Sequence, residues 1–243
     1  MKKCALITGA SGGIGSEIAL RLAKDGFNIA ACYNNDENGI KELEKKLSET
    51  GVSFKTYKAD VADFDEIKNV FADATDFFGG VSVLVNNAGI AQQKLFTDIT
   101  QDDFDRITAV NFKGVFNCCQ CAVPFMISQK SGKIINISSM WGIYGASCET
   151  VYSATKAAVI GFSKALAREL APSNIQVNCV APGAIDTKMN SNLSREEKLS
   201  FADEIPMGRF GKASEIAGVV SFLASSDSDY VTAQVITADG GLI

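Results

Sequence analysis

The sequence predicts one α/β domain built on a doubly wound parallel sheet of about seven strands, a Rossmann-type fold with helices on both faces. Short apolar runs alternate with longer amphipathic segments, which is typical of βαβ units. The strand-like runs are apolar on both faces, as expected for strands covered by two helical layers. The chain shows no break in composition and no internal repeat, so residues 1–243 are predicted to form a single domain.

The individual elements follow from local periodicity. Helices are predicted where apolar residues recur at three and four positions, as at Ile14, Ile18 and Leu22. Strands are predicted at 3–8, 28–33, 54–59, 81–85, 134–137, 175–180 and 235–237, and helices at 14–24, 38–50, 65–78, 102–128, 150–171 and 214–225. The helix over 102–128 is expected to be continuous. The polar segment 188–204 is expected to be mobile.

Charge, hydropathy and cysteine content exclude several classes of protein. The net charge of −5 comes without a basic stripe, so we expect no nucleic-acid partner. No apolar run approaches the roughly 20 residues needed to cross a bilayer. The seven cysteines are an odd number with no disulfide spacing. These features predict a soluble protein of the reducing cytoplasm.

The chain contains no histidine. Its absence excludes Ser-His-Asp and Cys-His catalysis and the histidine-based zinc hydrolases. A metal site at Cys118, Cys119 and Cys121 would need further ligands, and no second cluster is suitably spaced. We interpret these cysteines as small apolar residues on a helix and predict no metal.

A tyrosine and a lysine are the first candidates for catalysis. Tyr152 and Lys156 lie four positions apart on a predicted helix, so their side chains share one face. A neighbouring ammonium favours the phenolate, so we expect the pKa of Tyr152 to be lowered and this residue to act as a general acid/base. Ser139 follows the strand 134–137 and is placed to bring a hydroxyl to the same point.

A glycine-rich turn, Thr8 to Gly15, joins the first strand to the first helix. Backbone N–H groups at the start of such a helix bind a pyrophosphate, and a Cβ at the glycines would hold the ligand at a distance. A tight turn with no ligand is the alternative. Farther along, Asn111 is a polar residue on an apolar helix, where a backbone carbonyl could satisfy its amide.

Several motifs together resemble one enzyme family. They are TGASGGIG at 8–15, NNAG at 86–89, Asn111, Ser139, YSATK at 152–156 and the Pro182-Gly183 pair. In this order and spacing they resemble the short-chain dehydrogenase/reductase family over essentially the whole chain. The closing Ala238-Asp239-Gly240-Gly241 is also similar to the 3-oxoacyl-acyl-carrier-protein reductases of that family.

The resemblance implies reduction of a ketone to a secondary alcohol with a nicotinamide cofactor. Ser139 would bind the substrate carbonyl, Tyr152 would protonate its oxygen, and Lys156 would hold the nicotinamide ribose and lower the pKa of the tyrosine. Asn111 would anchor a water that returns the proton. The implied cofactor residues are Gly9, Ser11, Gly13, Ile14, Gly15, Tyr33, Asn34, Asp60, Val61, Asn87, Ala88, Gly89, Tyr152, Lys156, Pro182, Gly183, Ile185 and Thr187.

The choice between NADP and NAD depends on the end of the second strand. NAD-preferring relatives place an acid there for the ribose 2′-hydroxyl, and this chain has Tyr33, Asn34 and Asn35 instead. Many NADP-dependent relatives carry an arginine where this chain has Gly12, so one cation is missing. We expect NADPH to be preferred.

The loop before Tyr152 departs from the reductase pattern. Trp141, Cys148 and Glu149 are predicted to contact substrate, and this loop resembles the elongation factor P 5-aminopentanone reductases, whose substrate would offer Glu149 an ammonium. Alternatively, Glu149 caps the following helix or faces water. Elongation factor P and acyl carrier protein are therefore both expected as possible partners. A basic patch for the acidic carrier is not obvious, because Arg106, Lys113 and Lys130 are scattered.

The sequence also raises two alternative functions and one oligomeric state. Ser153 to Lys156 fits the S-x-x-K motif of acyl-enzymes, but the partner motifs of that class are missing. A catalytically silent nucleotide-binding regulator would keep the fold without the activity.

The helices at 102–128 and 150–171 carry surplus apolar residues, namely Val151, Val159, Phe162 and Ala165. The resemblance implies that these helices form a homotetramer.

Overall fold

A computed structural model describes residues 3–188 and 194–243 of the chain. Its strands are β1 (Cys4–Thr8), β2 (Asn28–Tyr33), β3 (Phe54–Lys58), β4 (Val83–Asn86), β5 (Gly132–Ile137), β6 (Ile175–Pro182) and β7 (Val235–Ala238). They form one parallel sheet in the order β3-β2-β1-β4-β5-β6-β7. The predicted fold class is confirmed.

Helices cover both faces of this sheet. They are α1 (Gly13–Lys24), α2 (Glu37–Ser48), α3 (Phe64–Phe78), α4 (Gln101–Thr108), α5 (Gly114–Gln129), α6 (Trp141–Tyr144), α7 (Thr150–Leu170), α8 (Arg195–Glu204) and α9 (Ala213–Ala224). Residues of α1, α2 and α9 form one apolar core with the sheet, and residues of α3, α5 and α7 form the other. Cys118 and Cys119 are buried in the second of these cores, which confirms their interpretation as apolar residues.

The strand order reverses at β1, which pairs with β2 on one side and with β4 on the other. Chain connections leave β1 and β4 in opposite directions, so a crevice opens at their carboxyl ends. The loops that follow β1, β4, β5 and β6 all meet at this edge of the sheet. A ligand site is therefore expected there.

The prediction of one continuous helix over 102–128 is wrong. A π-helical turn, Ala109–Lys113, separates α4 from α5. Asn111 lies in this turn, and its side chain exchanges two hydrogen bonds with the backbone of Ile90, which accepts at 2.9 Å and donates at 2.8 Å. The wider turn aims this amide away from its own helix. Apolar periodicity does not reveal one extra residue in a turn.

No helix is predicted in the polar segment 188–204, but α8 forms its second half; the mobility of the segment stays a prediction. Helix α8 begins there with a capping box, in which Ser194 and Glu197 bond each other's backbone N–H groups. None of its side chains is buried, so the helix has no apolar stripe that periodicity could detect. Residues 189–193 lie outside the described part of the chain.

In the described residues, no helix is long and apolar enough to cross a membrane.

Buried amides connect the centre of the sheet to α7. Asn86 and Asn136 are register partners on β4 and β5, and the Asn86 amide donates to the Asn136 side-chain oxygen at 2.8 Å. Asn136 in turn donates to the Ser163 hydroxyl at 2.7 Å. All three side chains are buried. The network therefore fixes α7 against the strands that end at the crevice.

We expect Asn136→Ala to destabilise the fold by about 2 kcal/mol, because Asn86 and Ser163 would lose buried partners. Urea unfolding measures the difference. Asn38→Ala is the matched control, since Asn38 is exposed on α2 and its loss should cost less than about 0.5 kcal/mol. Equal unfolding midpoints for the two variants would contradict a structural role for the network.

Candidate active site

A cavity of about 360 Å³ opens at the carboxyl edge of the sheet. Five chain segments line it, namely the turn after β1, the start of α2, the loop after β4, the junction of β5 with α7, and the segment after β6. The lining residues are Gly9, Ser11, Gly12, Gly13, Ile14, Asp36, Asn87, Ala88, Gly89, Ile137, Ser138, Ser139, Tyr152, Lys156, Pro182, Gly183, Ile185, Thr187 and Lys188. Most of the predicted site residues are thus brought together.

Ser139, Tyr152 and Lys156 form the buried end of the cavity. The Ser139 hydroxyl lies beside the Tyr152 phenol at the cavity wall, close enough to lower the pKa of the phenol. The Lys156 ammonium donates to the Ile137 carbonyl at 2.9 Å and lies 5.7 Å from the centre of the Tyr152 ring. The Ser138 hydroxyl donates to the Lys156 carbonyl at 2.8 Å, which fixes α7 to the end of β5. The structure thus brings the predicted hydroxyl, phenol and ammonium together at one end of the cavity.

Burial controls the protonation of these groups. It raises the pKa of Tyr152 to about 12, even though the neighbouring Ser139 hydroxyl lowers this pKa. It lowers the pKa of Lys156 to about 8. The expected lowering of the tyrosine pKa is therefore wrong. At neutral pH the site holds a neutral phenol, which is a proton donor, beside a charged ammonium.

Asn111 is fully buried behind the cavity and is not part of its wall. Its amide is satisfied by the Ile90 backbone, which confirms the structural interpretation of this residue. It remains close to the site, because a Cβ on Gly89 would lie 3.3 Å from the Lys156 Nζ and 3.4 Å from the Asn111 side-chain oxygen. Its role in holding a water stays a prediction.

The loop after β4 is tied to the end of β1. The Thr8 hydroxyl accepts the N–H groups of Asn87 and Ala88, each at 3.0 Å. The Asn87 side-chain amide donates to the carbonyls of Thr8 and Gly9 at 3.0 and 3.2 Å. These bonds hold the floor of the cavity at the switch point of the sheet.

The glycine-rich turn has the shape of a phosphate cradle. Gly9 has a φ of +65°, and a Cβ there would lie 2.9 Å from the Ala88 Cα. A Cβ on Gly15 would collide with the Gly9 carbonyl. Helix α1 has no acidic residue in its first turn and no side-chain cap, and the Gly12 carbonyl takes the N–H groups of Gly15 and Ser16, so the helix start at Gly13 and Ile14 faces the cavity without a competing side chain from its cap. The residues present fit the pyrophosphate of a dinucleotide.

Five predicted cofactor residues lie outside the cavity wall, namely Gly15, Tyr33, Asn34, Asp60 and Val61. Tyr33 packs against the core beside α2 and donates to Glu37 at 3.4 Å, and the Asp60 carboxylate accepts the Ala62 N–H at 2.9 Å. Gly15 supports the turn from within α1.

Two charged residues of the wall were missed from the sequence, Asp36 and Lys188. Asp36 caps α2 by accepting the Gly39 N–H at 2.9 Å, and its second oxygen lies 3.3 Å from the Lys188 Nζ. A signal for Asp36 existed, because it stands about twenty residues after the glycine-rich turn, where dinucleotide-binding folds place an acid. Lys188 had no comparable signal.

The predicted substrate residues Trp141, Cys148 and Glu149 lie in the loop between Ser139 and α7, but they are not part of the wall. The Trp141 N–H donates to the Ser139 hydroxyl at 3.1 Å. Glu149 is the N-cap residue of α7, yet its side chain makes no capping bond, so the capping alternative is wrong. Burial raises the pKa of Glu149, and its charge raises the pKa of Tyr152, so it lies near the phenol.

Three features together define the class of protein. They are the sheet order, the glycine-rich turn and the arrangement of Ser139, Tyr152 and Lys156. The family model described as enoyl-(acyl carrier protein) reductase matches residues 9–243, and the chain belongs to the short-chain dehydrogenase/reductase family.

Three relatives match almost the full length of this chain. Identity is 44% to the 3-oxoacyl-[acyl-carrier-protein] reductase FabG of Staphylococcus aureus strain Mu50, over 100% of this chain and 98% of the relative. It is 45% to the enzyme of the same name from Thermotoga maritima, over 99% and 98%. It is 42% to nodulation protein G of Azospirillum brasilense, over 99% and 98%.

We expect Gly15→Ala to weaken NADPH binding by about tenfold or more, because the new Cβ displaces the Gly9 carbonyl from the cradle. Fluorescence titration measures the Kd, and thermal unfolding reports the accompanying loss of stability. Gly161→Ala is the matched control, since Gly161 also lies within a helix and a Cβ there meets nothing within 4 Å. Unchanged NADPH binding in Gly15→Ala would contradict the cradle.

Proposed function

We propose that this protein reduces the ketone of a 3-oxoacyl group carried on acyl carrier protein to a secondary alcohol. The observation that carries the proposal is the neutral phenol of Tyr152 at the wall of the cavity, beside the Ser139 hydroxyl and the buried Lys156 ammonium. The names of the Staphylococcus and Thermotoga relatives supply the substrate class.

Residues of the cavity wall support a binding mode for the pyrophosphate, ribose and carboxamide of a nicotinamide dinucleotide. The first turn of α1 and the glycines before it would hold the pyrophosphate, and Asn87 to Gly89 would line the ribose. Ile185 and Thr187, after β6, would face the nicotinamide carboxamide. When bound, this cofactor supplies a hydride to the carbonyl carbon.

The chain's own residues handle the proton. The Ser139 oxygen already accepts the Trp141 N–H, so its hydrogen is left to donate to Tyr152 or to a substrate carbonyl. Tyr152 then gives its proton to the carbonyl oxygen as the carbon gains the hydride. The negative charge left on the phenol is stabilised by the Lys156 ammonium, which Ile137 holds beside the ring.

We propose NADPH as the preferred cofactor. In support, Tyr33 and Asn34 at the end of β2 are uncharged, and the acid that follows them, Asp36, is paired with Lys188. We also propose a catalytic role for Asn111. Its side-chain amide lies behind Gly89 and near Lys156.

The relatives do not favour the two alternatives, a 5-aminopentanone reductase acting on elongation factor P and a silent nucleotide-binding regulator. The homotetramer and the cytoplasmic location stay predictions. Two of the four residues assigned to the subunit interface, Val151 and Val159, are buried within the chain's own fold, which corrects that assignment. Phe162 and Ala165 are not buried, and the Phe162 ring packs edge-on against the exposed ring of Phe116 on α5.

We expect Tyr152→Phe to lower kcat for acetoacetyl thioester reduction by about a hundredfold or more, since the proton donor is lost. NADPH binding should change by less than about twofold, because the ring and its packing remain. Tyr144→Phe is the matched control, a tyrosine that is 74% exposed outside the cavity. Equal rates for the two variants, measured as nicotinamide oxidation, would refute the assigned role.

A further inference from the structure

An ion pair spans the outer end of the cavity. The Lys188 ammonium, on the segment after β6, lies 3.3 Å from the Asp36 carboxylate at the start of α2, and both residues line the wall. The same segment passes over the glycine-rich turn, because a Cβ on Gly13 would lie 3.4 Å from the Thr187 methyl group. Lys188 thus reaches across the cavity, from the segment after β6 to the start of α2.

Asp36 is held firmly in this position. One of its oxygens accepts the Gly39 N–H at 2.9 Å, and a Cβ on Gly39 would collide with the Ser11 carbonyl, so α2 starts in direct contact with the turn. The other oxygen lies 3.9 Å from where a Cβ of Gly12 would be. The bond from Gly39 and the contact with Lys188 both lower the pKa of Asp36, so it is an anion at neutral pH.

This is the place where dinucleotide-binding folds distinguish their cofactors. The adenosine ribose runs from the first turn of α1 towards the end of β2, where an acid accepts the 2′-hydroxyl and a cation accommodates a 2′-phosphate. Asp36 alone would accept the hydroxyl and repel the phosphate. Gly12 offers no side chain to offset that repulsion. Lys188 is the side chain of the cavity wall that brings a positive charge to this end.

We propose that Lys188 is the residue that selects the 2′-phosphate, and that Asp36 is the positioning residue that holds it over the ribose. The inference rests on the proposed function, since it assumes a nicotinamide dinucleotide in the cavity. It reassigns cofactor choice from the end of β2 to a pair of residues 152 positions apart in sequence.

The ion pair itself is weak, which suits this role. The Lys188 side chain is 83% exposed, and exposed pairs contribute little to stability. Lys188 can therefore bind a phosphate oxygen at small cost, and replacing it should leave the fold intact. Without Lys188, the fixed charge of Asp36 remains and opposes the phosphate.

The test compares the Kd values of NADPH and NADH by fluorescence titration. In Lys188→Gln we expect the NADPH Kd to rise about tenfold or more and the NADH Kd to change by less than about twofold. In the double variant with Asp36→Asn, most of the NADPH affinity should return, because asparagine still caps α2 and the repulsion is gone. Lys198→Gln is the matched control, a lysine that pairs with Asp186 at 3.1 Å outside the cavity. It should change neither Kd.

Equal weakening of both cofactors in Lys188→Gln, or no weakening of NADPH, would overturn the inference. Failure of the double variant to regain NADPH affinity would overturn the part assigned to Asp36. If the unaltered protein bound neither nucleotide, the proposed function itself would fail, so the two failures are distinguishable.

Discussion

The site depends on a charge that is buried where water does not reach. Lys156 is 4% exposed, and an ammonium in such a place costs several kcal/mol unless it is hydrogen-bonded. The chain provides one backbone acceptor, the Ile137 carbonyl, at the last residue of β5. That single contact ties the ammonium to the end of a central strand. Burial disfavours the charged form and lowers the pKa of Lys156 to about 8, so the residue titrates near physiological pH.

The surrounding structure is arranged to keep this lysine in place. Ser138 bonds the lysine's own carbonyl, and Gly142 in α6 packs so closely on the lysine backbone that a Cβ would lie 2.7 Å from its carbonyl carbon. The amides of Asn86 and Asn136 connect the same strands to α7 farther down. A phenol one turn before the lysine is then buried as well, and burial keeps it protonated. The neutral form is the one that can give a proton to a ketone.

Much of this could be predicted from local pattern, and the exceptions have physical causes. The strands, the glycine-rich turn and the placement of Tyr152 one turn before Lys156 follow from periodicity and motif spacing. The direction of the tyrosine pKa did not, because the spacing shows a neighbouring charge but not the depth of burial. The π-helical turn at Asn111 and the pairing of Asp36 with Lys188 depend on contacts between distant segments. Helix α8 has no buried face, so its sequence shows no apolar periodicity that would predict a helix.

The most direct measurement is the pH dependence of kcat/KM for NADPH in acetoacetyl thioester reduction, which reports ionisations of the free enzyme. The account predicts a fall as pH rises through about 8, because Lys156 loses the proton that its lowered pKa holds weakly. Lys156→Arg should abolish the fall, since a guanidinium stays charged throughout. A wild-type profile that stays level well above that pH, or the same fall in Lys156→Arg, would contradict the claim that the buried ammonium controls the site.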